Sequence, residues 1–301
     1  MMSSGNRYLV CFRGPVLTAL AMKGPSVEST ADFTEGGLIR MLLDLRNAGY
    51  EFGAFTNAEV PPQGQVILRH DVDLDLVAAQ RIAQIECDLG VSATFFFLVS
   101  SNLYNVMSVE GRTTCKQILS LGHHIGLHFD PTVFGSTEEE FDTGLSSERR
   151  LLEEVTGLPI SVFSLHKPGN RSQLYPVGPE GLLNTYSRRF FSDIAYSSDS
   201  SGWWRFGSFI ESDDFRSHRS VQLLLHPIWW TGLLGEHPGK RLDRLVDDLR
   251  VKGQSQIAST IDPYGLYLAE RKDELGGWPT DLGYLRSLSP IRPEKDRSEW
   301  E

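Results

Sequence analysis

From residue 37 onward the chain alternates two kinds of apolar pattern. Residues 37–48 place Leu38, Met41, Leu42 and Leu45 on one stripe at helical spacing. Residues 74–90 repeat the pattern with Leu76, Ala79, Ile82, Ile85 and Leu89, and Gly90 suits a C-terminal cap. Between them Pro61-Pro62 interrupts the chain, and residues 65–72 predict the first strand. Residues 92–100 hold Thr94, Phe95, Phe96 and Phe97 in an apolar run of the kind that is covered on both faces of a sheet. A helix over 114–121 stops at Gly122, and a strand follows over 123–130. Residues 136–156 predict a charged amphipathic helix, opened by Ser136-Thr137-Glu138-Glu139 and stopped by Gly157. Strands are then expected at 160–166, 190–196 and 221–226, and helices at 241–251 and 256–274. Apolar strands alternating with amphipathic helices predict a parallel sheet joined by crossover helices, either a closed or nearly closed α/β barrel or a doubly wound sheet.

The polar residues decide between the two. Asp71, Asp73, His128, Asp130, His166 and His226 all fall at the C-terminal ends of apolar strands, which is the rim where α/β barrels collect ligands and catalytic groups. The expected architecture is therefore a distorted (β/α) barrel of about seven parallel strands with outer helices. It forms one domain over residues 33–289, with an N-terminal extension over 1–32 and a charged, Pro-containing tail over 290–301. In the extension, Arg7 and two apolar stretches ending in Ala19-Leu20-Ala21 imitate a signal peptide, but Arg13-Gly14-Pro15 interrupts them. The segment is read either as an extension with no role or as a misassigned start, with Met22 as the true first residue, and a cytoplasmic location is the expectation.

Composition narrows the function. Of 301 residues, 40% are hydrophobic and 23% charged, which excludes a disordered or collagenous chain. With 29 Lys and Arg against 39 Asp and Glu, the net charge of −10 disfavours nucleic acid and acidic membrane surfaces as partners. Cys11, Cys87 and Cys115 are odd in number and show no CxxC spacing, so neither a disulfide framework nor a zinc ribbon is indicated. No apolar run approaches the ~20 residues of a membrane-spanning helix. There is no GxSxG, HExxH, GxGxxG or GxxxxGK[ST]. The chain reads as an enzyme or a binder of neutral ligands.

Four segments carry candidate chemistry. In Arg69-His70-Asp71-Val72-Asp73, Asp71 and Asp73 share one strand face about 7 Å apart, so both carboxylates can enter one site. In Gly122-His123-His124-Ile125-Gly126-Leu127-His128, the two histidines at 124 and 128 would share a metal only on a helix. On a strand they stand roughly 13 Å apart, leaving His128 at the rim and His123 and His124 lower in the fold. Phe163-Ser164-Leu165-His166-Lys167-Pro168 leaves His166 at a strand tip, and Leu223-Leu224-Leu225-His226-Pro227-Ile228-Trp229-Trp230 delivers His226 beside two tryptophans. A further polar and aromatic loop runs through Asp199, Trp203 and Trp204.

Taken in order from residue 65 to residue 230, these motifs resemble the polysaccharide deacetylase superfamily, the NodB-homology or family 4 carbohydrate esterase group, and within it a subgroup carrying RHDVD. Gly90-Val91-Ser92-Ala93-Thr94-Phe95-Phe96 resembles the family's second-strand signature, Gly122 to His128 its GHEIxxH segment, and Leu223 to His226 its LxH motif. The resemblance implies a distorted (β/α) barrel and removal of N-acetyl groups from sugars with a divalent metal, expected to be Zn²⁺. It implies Asp71 as catalytic base and Asp73 as metal ligand, or the reverse, with His128 as the first ligand histidine and His226 as the catalytic acid. The family's second ligand histidine falls on Thr132, a poor ligand, while its RxPxG arginine falls on His166. A histidine is thus lost at one strand end and gained at the neighbouring one. The expected ligand set is Asp73, His128 and His166, with Asp130 competing for third place; three N/O ligands and an open position are what a hydrolytic metal site requires. Asp130, Asp199, Trp203, Trp204, Trp229 and Trp230 are expected to line the pocket for a carbohydrate substrate. Two alternatives stand beside the deacetylase: a catalytically degenerate barrel that binds a saccharide or a biosynthetic partner, and a C–N hydrolase acting on a small amide.

Overall fold

The computed structural model describes residues 33–55, 63–134, 137–167, 178–204 and 207–271. The expected extension over 1–32, the tail over 290–301 and Pro168 lie outside the described residues. Eight strands form one wholly parallel sheet: β1 (Glu51–Gly53), β2 (Gln65–Val72), β3 (Thr94–Leu98), β4 (His124–Phe129), β5 (Val162–Leu165), β6 (Leu183–Asn184), β7 (Ala195–Ser198) and β8 (Val221–Leu225). The order is β6-β5-β4-β3-β2-β8-β7, and β1 adds to the first half of β2 where β3 pairs only with the second. This is a distorted α/β barrel whose two end strands, β6 and β7, do not pair with each other among the described residues.

Side chains cross that seam instead. Gln222 donates through Nε2 to the carbonyls of Thr185 (3.0 Å) and Phe190 (2.8 Å), and Arg69 Nη1 donates to Thr185 Oγ1 (3.0 Å) and Gln222 Oε1 (3.1 Å).

β2 shows how alternation sorts the chain. Ile67 belongs to a small inner cluster with Phe55, Phe96, Val162, Leu183, Phe190 and Ile194, whereas Leu68 and Val72 belong to the large core shared with the helices. Arg69 follows Ile67 inward, its guanidinium over the Phe96 ring, and His70 points outward, stacked on Phe95. The Phe96 ring fills the interior so closely that a Cβ at Gly126 on β4 would come within 2.4 Å of it, which explains glycine there.

The helices are α1 (Glu35–Asn47), α2 (Leu76–Asp88), α3 (Val109–Ser120), α4 (Glu138–Thr156), α5 (Arg188–Phe191), α6 (Asp213–Arg216), α7 (Pro227–Trp230), α8 (Pro238–Thr260) and α9 (Asp262–Arg271). Their ends follow ordinary capping chemistry. Thr34, Asp75 and Ser108 cap α1, α2 and α3, Thr137 and Glu140 form a reciprocal capping box on α4, and Gly157 closes α4 at φ 71°.

Two expectations are corrected, and two strands were not expected. Residues 190–196 are not one strand: α5 buries Phe190 and leaves Phe191 exposed, and the strand begins only at Ala195, where it pairs with Val221. The two helices expected at 241–251 and 256–274 are α8 running on to Thr260 and α9 starting at Asp262, because Gly253 meets no neighbour and interrupts nothing, while Pro263 suits a first turn. β1 and β6 are too short for periodicity to reveal. Among the described residues no helix is long and apolar enough to cross a membrane.

Candidate active site and metal centre

Every strand that the sequence singled out delivers its polar residue to one rim. Asp71 lies within the last two residues of β2 and Asp73 just beyond it, and His128 is the penultimate residue of β4. Asp130, His166, Asp199 and His226 each stand one residue past β4, β5, β7 and β8. The structure brings together one donor atom each from Asp73, His128 and His166, all within 4.8 Å of one another. Asp73 Oδ1 lies 3.0 Å from His128 Nε2, Asp71 Oδ2 lies 3.6 Å from the same nitrogen, and Asp73 Oδ2 lies 3.7 Å from His226 Nε2. The expected ligands, base and acid therefore form one constellation.

The electrostatics favour negative carboxylates facing imidazoles. Burial works against the charge on Asp73, but His128, His226 and His166 hold its carboxyl well below the usual range. Burial also opposes ionisation of Asp71, yet the Arg69 guanidinium, aided by His128 and His226, keeps it low. Arg69 grips Asp71 through two parallel bonds, Nε to Oδ1 at 2.8 Å and Nη2 to Oδ2 at 2.7 Å, and its guanidinium carbon lies 5.3 Å from the centre of the Phe96 ring and 5.0 Å from that of Tyr186. Burial pulls His226 towards neutrality, but the charge and hydrogen bond of Asp199, with Asp73 and Asp71 behind, push it up to about 9.

A divalent ion fits these residues. Asp73 Oδ1 is a buried oxygen that only the His128 Nε2 contact at 3.0 Å approaches among the described residues. A buried acceptor left open in this way marks a place for a cation. One carboxylate and two imidazoles suit zinc and neighbouring transition ions. The tether of each histidine is also present: His128 Nδ1 meets Ser164 Oγ at 2.7 Å, the residue opposite it in the β4–β5 register, and His166 Nδ1 meets Asp130 Oδ2 at 3.0 Å.

Other expected pocket residues have different surroundings. Asp199 is fully buried: Oδ1 accepts from His226 Nδ1 (2.6 Å), and Oδ2 accepts from the His226 backbone (2.9 Å) and from Trp230 Nε1 (2.8 Å). Both of its oxygens are engaged by His226 and Trp230, and none of the residue is exposed. Trp229 and Trp230 are buried in the core by α7 and do not form an open wall, whereas the half-buried Trp204 packs on Phe33 and Trp230 at ring distances of 5.7 and 6.1 Å. Trp203 remains half-buried. Asp130 is half-buried and bonds His166 and Thr132. His123 sits low and satisfied, accepting from Ala93 N and bonded to Ala83 O, and His124 is exposed at the start of β4.

Arg69, Ser164, Thr132 and Glu148 were not singled out as working residues by the sequence. Glu148 of α4 is buried and takes a hydrogen bond from the Ser100 hydroxyl, and burial, assisted by the charge of Asp130, pushes it up to about 7. A carboxyl whose folded pKa exceeds its unfolded value loses stability as pH rises from the unfolded value through the folded one. Between about pH 5 and about pH 8 the protein should therefore lose roughly 3 kcal/mol through this group. Urea unfolding across that range should show the loss in the wild type and a flatter profile in Glu148→Gln.

No protein-family model matches the chain, and no curated protein matches it. Solved structures do. A family 4 carbohydrate esterase from Bacillus anthracis is 19% identical with a TM-score of 0.38, the match covering 71% of this chain and 86% of that one. The Bc1960 peptidoglycan N-acetylglucosamine deacetylase is 19% identical with a TM-score of 0.38, covering 68% and 88%. A family 4 pseudoenzyme from Bacillus anthracis, BA3943, is 17% identical with a TM-score of 0.34, covering 64% and 63%. These belong to the group that the motifs resemble, and at such identities and TM-scores nothing about activity follows from the likeness.

Proposed function

We propose that this protein is a metal-dependent hydrolase that removes the N-acetyl group of an amino sugar in polysaccharide or glycolipid biosynthesis. The observation that carries the reading is the convergence of Asp73, His128 and His166 within 4.8 Å, with Asp71 and His226 beside them. The ordered motif resemblance supplies the sugar amide as substrate class.

A divalent ion held by Asp73, His128 and His166, expected to be Zn²⁺, would supply Lewis acidity towards water and an amide carbonyl. The chain's own residues do the rest. Asp71, kept ionised and aimed by Arg69, accepts a proton from the attacking water as its oxygen bonds to the acetyl carbon. His226, kept protonated by Asp199, gives a proton to the sugar nitrogen as the C–N bond breaks. The water's oxygen leaves in acetate and the sugar leaves as an amine. The half-buried Trp203 and Trp204 are the aromatic candidates for the sugar wall.

Acetate release from N-acetylated amino-sugar oligomers tests this directly. Chelator-stripped protein should be inactive and one equivalent of Zn²⁺ should restore release. No stoichiometric metal and no acetate would overturn the reading in favour of a saccharide-binding barrel, and hydrolysis of small amides alone would favour the C–N hydrolase.

A further inference from the structure

We infer that Asp130 and Thr132 are a positioning pair that prepares His166 as a metal ligand, a role that rests on the metal centre proposed above. β4 and β5 run side by side with Phe129 opposite Leu165, and the His166 backbone donates to the Phe129 carbonyl at 2.8 Å. Asp130 and His166 therefore leave the sheet at the same level, and Asp130 Oδ2 sits 3.0 Å from His166 Nδ1.

An ionised carboxylate only accepts, so the proton of the imidazole is fixed on Nδ1 and the lone pair on Nε2 is left for a cation. The other oxygen, Oδ1, accepts from both the backbone (2.8 Å) and the hydroxyl (2.6 Å) of Thr132. Pro131 and the Val133 N–H to Asp130 carbonyl bond (3.2 Å) close this segment into a turn, which holds the Thr132 donors over the carboxylate. Both oxygens of Asp130 are thus engaged, and Asp130 orients a ligand instead of competing with His166 for the ion. Threonine at 132 adds its hydroxyl to the backbone N–H that almost any residue would supply there, and this second donor holds the carboxylate against the imidazole.

Asp130→Asn is the discriminating substitution because it keeps size and shape. With Oδ1 still held by Thr132, the new NH₂ group would face His166 Nδ1, which must then accept, moving the ring proton to Nε2. In the full-length protein, Zn²⁺ affinity is measured by competition with a chromophoric chelator, and the His166 tautomer of the metal-free protein by ¹⁵N NMR. We expect wild type to show the Nδ1–H tautomer, and Asp130→Asn to show Nε2–H with Zn²⁺ binding about 10–100-fold weaker. Thr132→Val should weaken Zn²⁺ binding, and Thr132→Ser should restore it. Wild-type affinity in Asp130→Asn, or an Nε2–H tautomer in the wild type, would overturn the inference while leaving the metal site standing. A wild-type protein that binds no Zn²⁺ would instead overturn the functional reading on which it rests.

Discussion

Arg69→Met is expected to lower the stability of this protein by roughly 3–5 kcal/mol, the scale reached when one partner of a buried ion pair is removed. Arg69 is wholly buried, and Asp71 nearly so. The guanidinium also bonds Thr185 and Gln222 across the seam between β6 and β7 and lies over two aromatic rings. Methionine replaces the stem but leaves the Asp71 carboxylate buried without its partner and the seam without two of its bonds. Urea unfolding reads the loss. Adding Asp71→Asn to Arg69→Met removes the stranded charge, so the double variant should be more stable than Arg69→Met alone. A loss below about 1 kcal/mol would mean that the pair behaves like an exposed one.

His226→Ala is expected to lower turnover of an N-acetylated sugar by about 10²–10⁴-fold, the usual contribution of a positioned acid. An amine leaves an amide carbon badly unless its nitrogen is protonated, and His226 is the group held cationic beside the site. Its position is set from behind by Asp199, itself fixed by the Trp230 indole. Because His226 is outside the proposed ligand set, metal content should stay at wild-type level while kcat falls. Turnover within about tenfold of wild type would assign the proton to another donor.

The rim residues were legible because each ends an apolar strand, and period-2 alternation fixes which side of a strand faces the interior. β2 shows it: the run over 65–72 coincides with the observed strand, and Asp71 and Asp73 follow from its parity. Arg69 was not legible. An arginine inside a barrel makes sense only with its partners, and Thr185 and Gln222 are 116 and 153 residues away in the chain. Asp199 was read as a pocket residue from the polar and aromatic loop it shares with Trp203 and Trp204, but its two oxygens are taken by His226 and Trp230, brought close by the β7–β8 pairing. The paired tryptophans after β8 misled for a related reason. The single turn of α7 rotates both rings into the core, where Phe33 meets Trp230 at 4.9 Å, a contact that no local pattern announces. Thr132 reads as the loss of a ligand until the turn at Asp130 is seen to place it on the carboxylate beside His166.

Anomalous diffraction from Zn²⁺-loaded crystals would probe the proposed centre most directly. A single peak is expected about 2.0–2.2 Å from an Asp73 carboxylate oxygen, His128 Nε2 and His166 Nε2. A peak ligated by Asp130 in place of His166, or no peak between β2, β4 and β5 at the rim, would contradict the proposed centre.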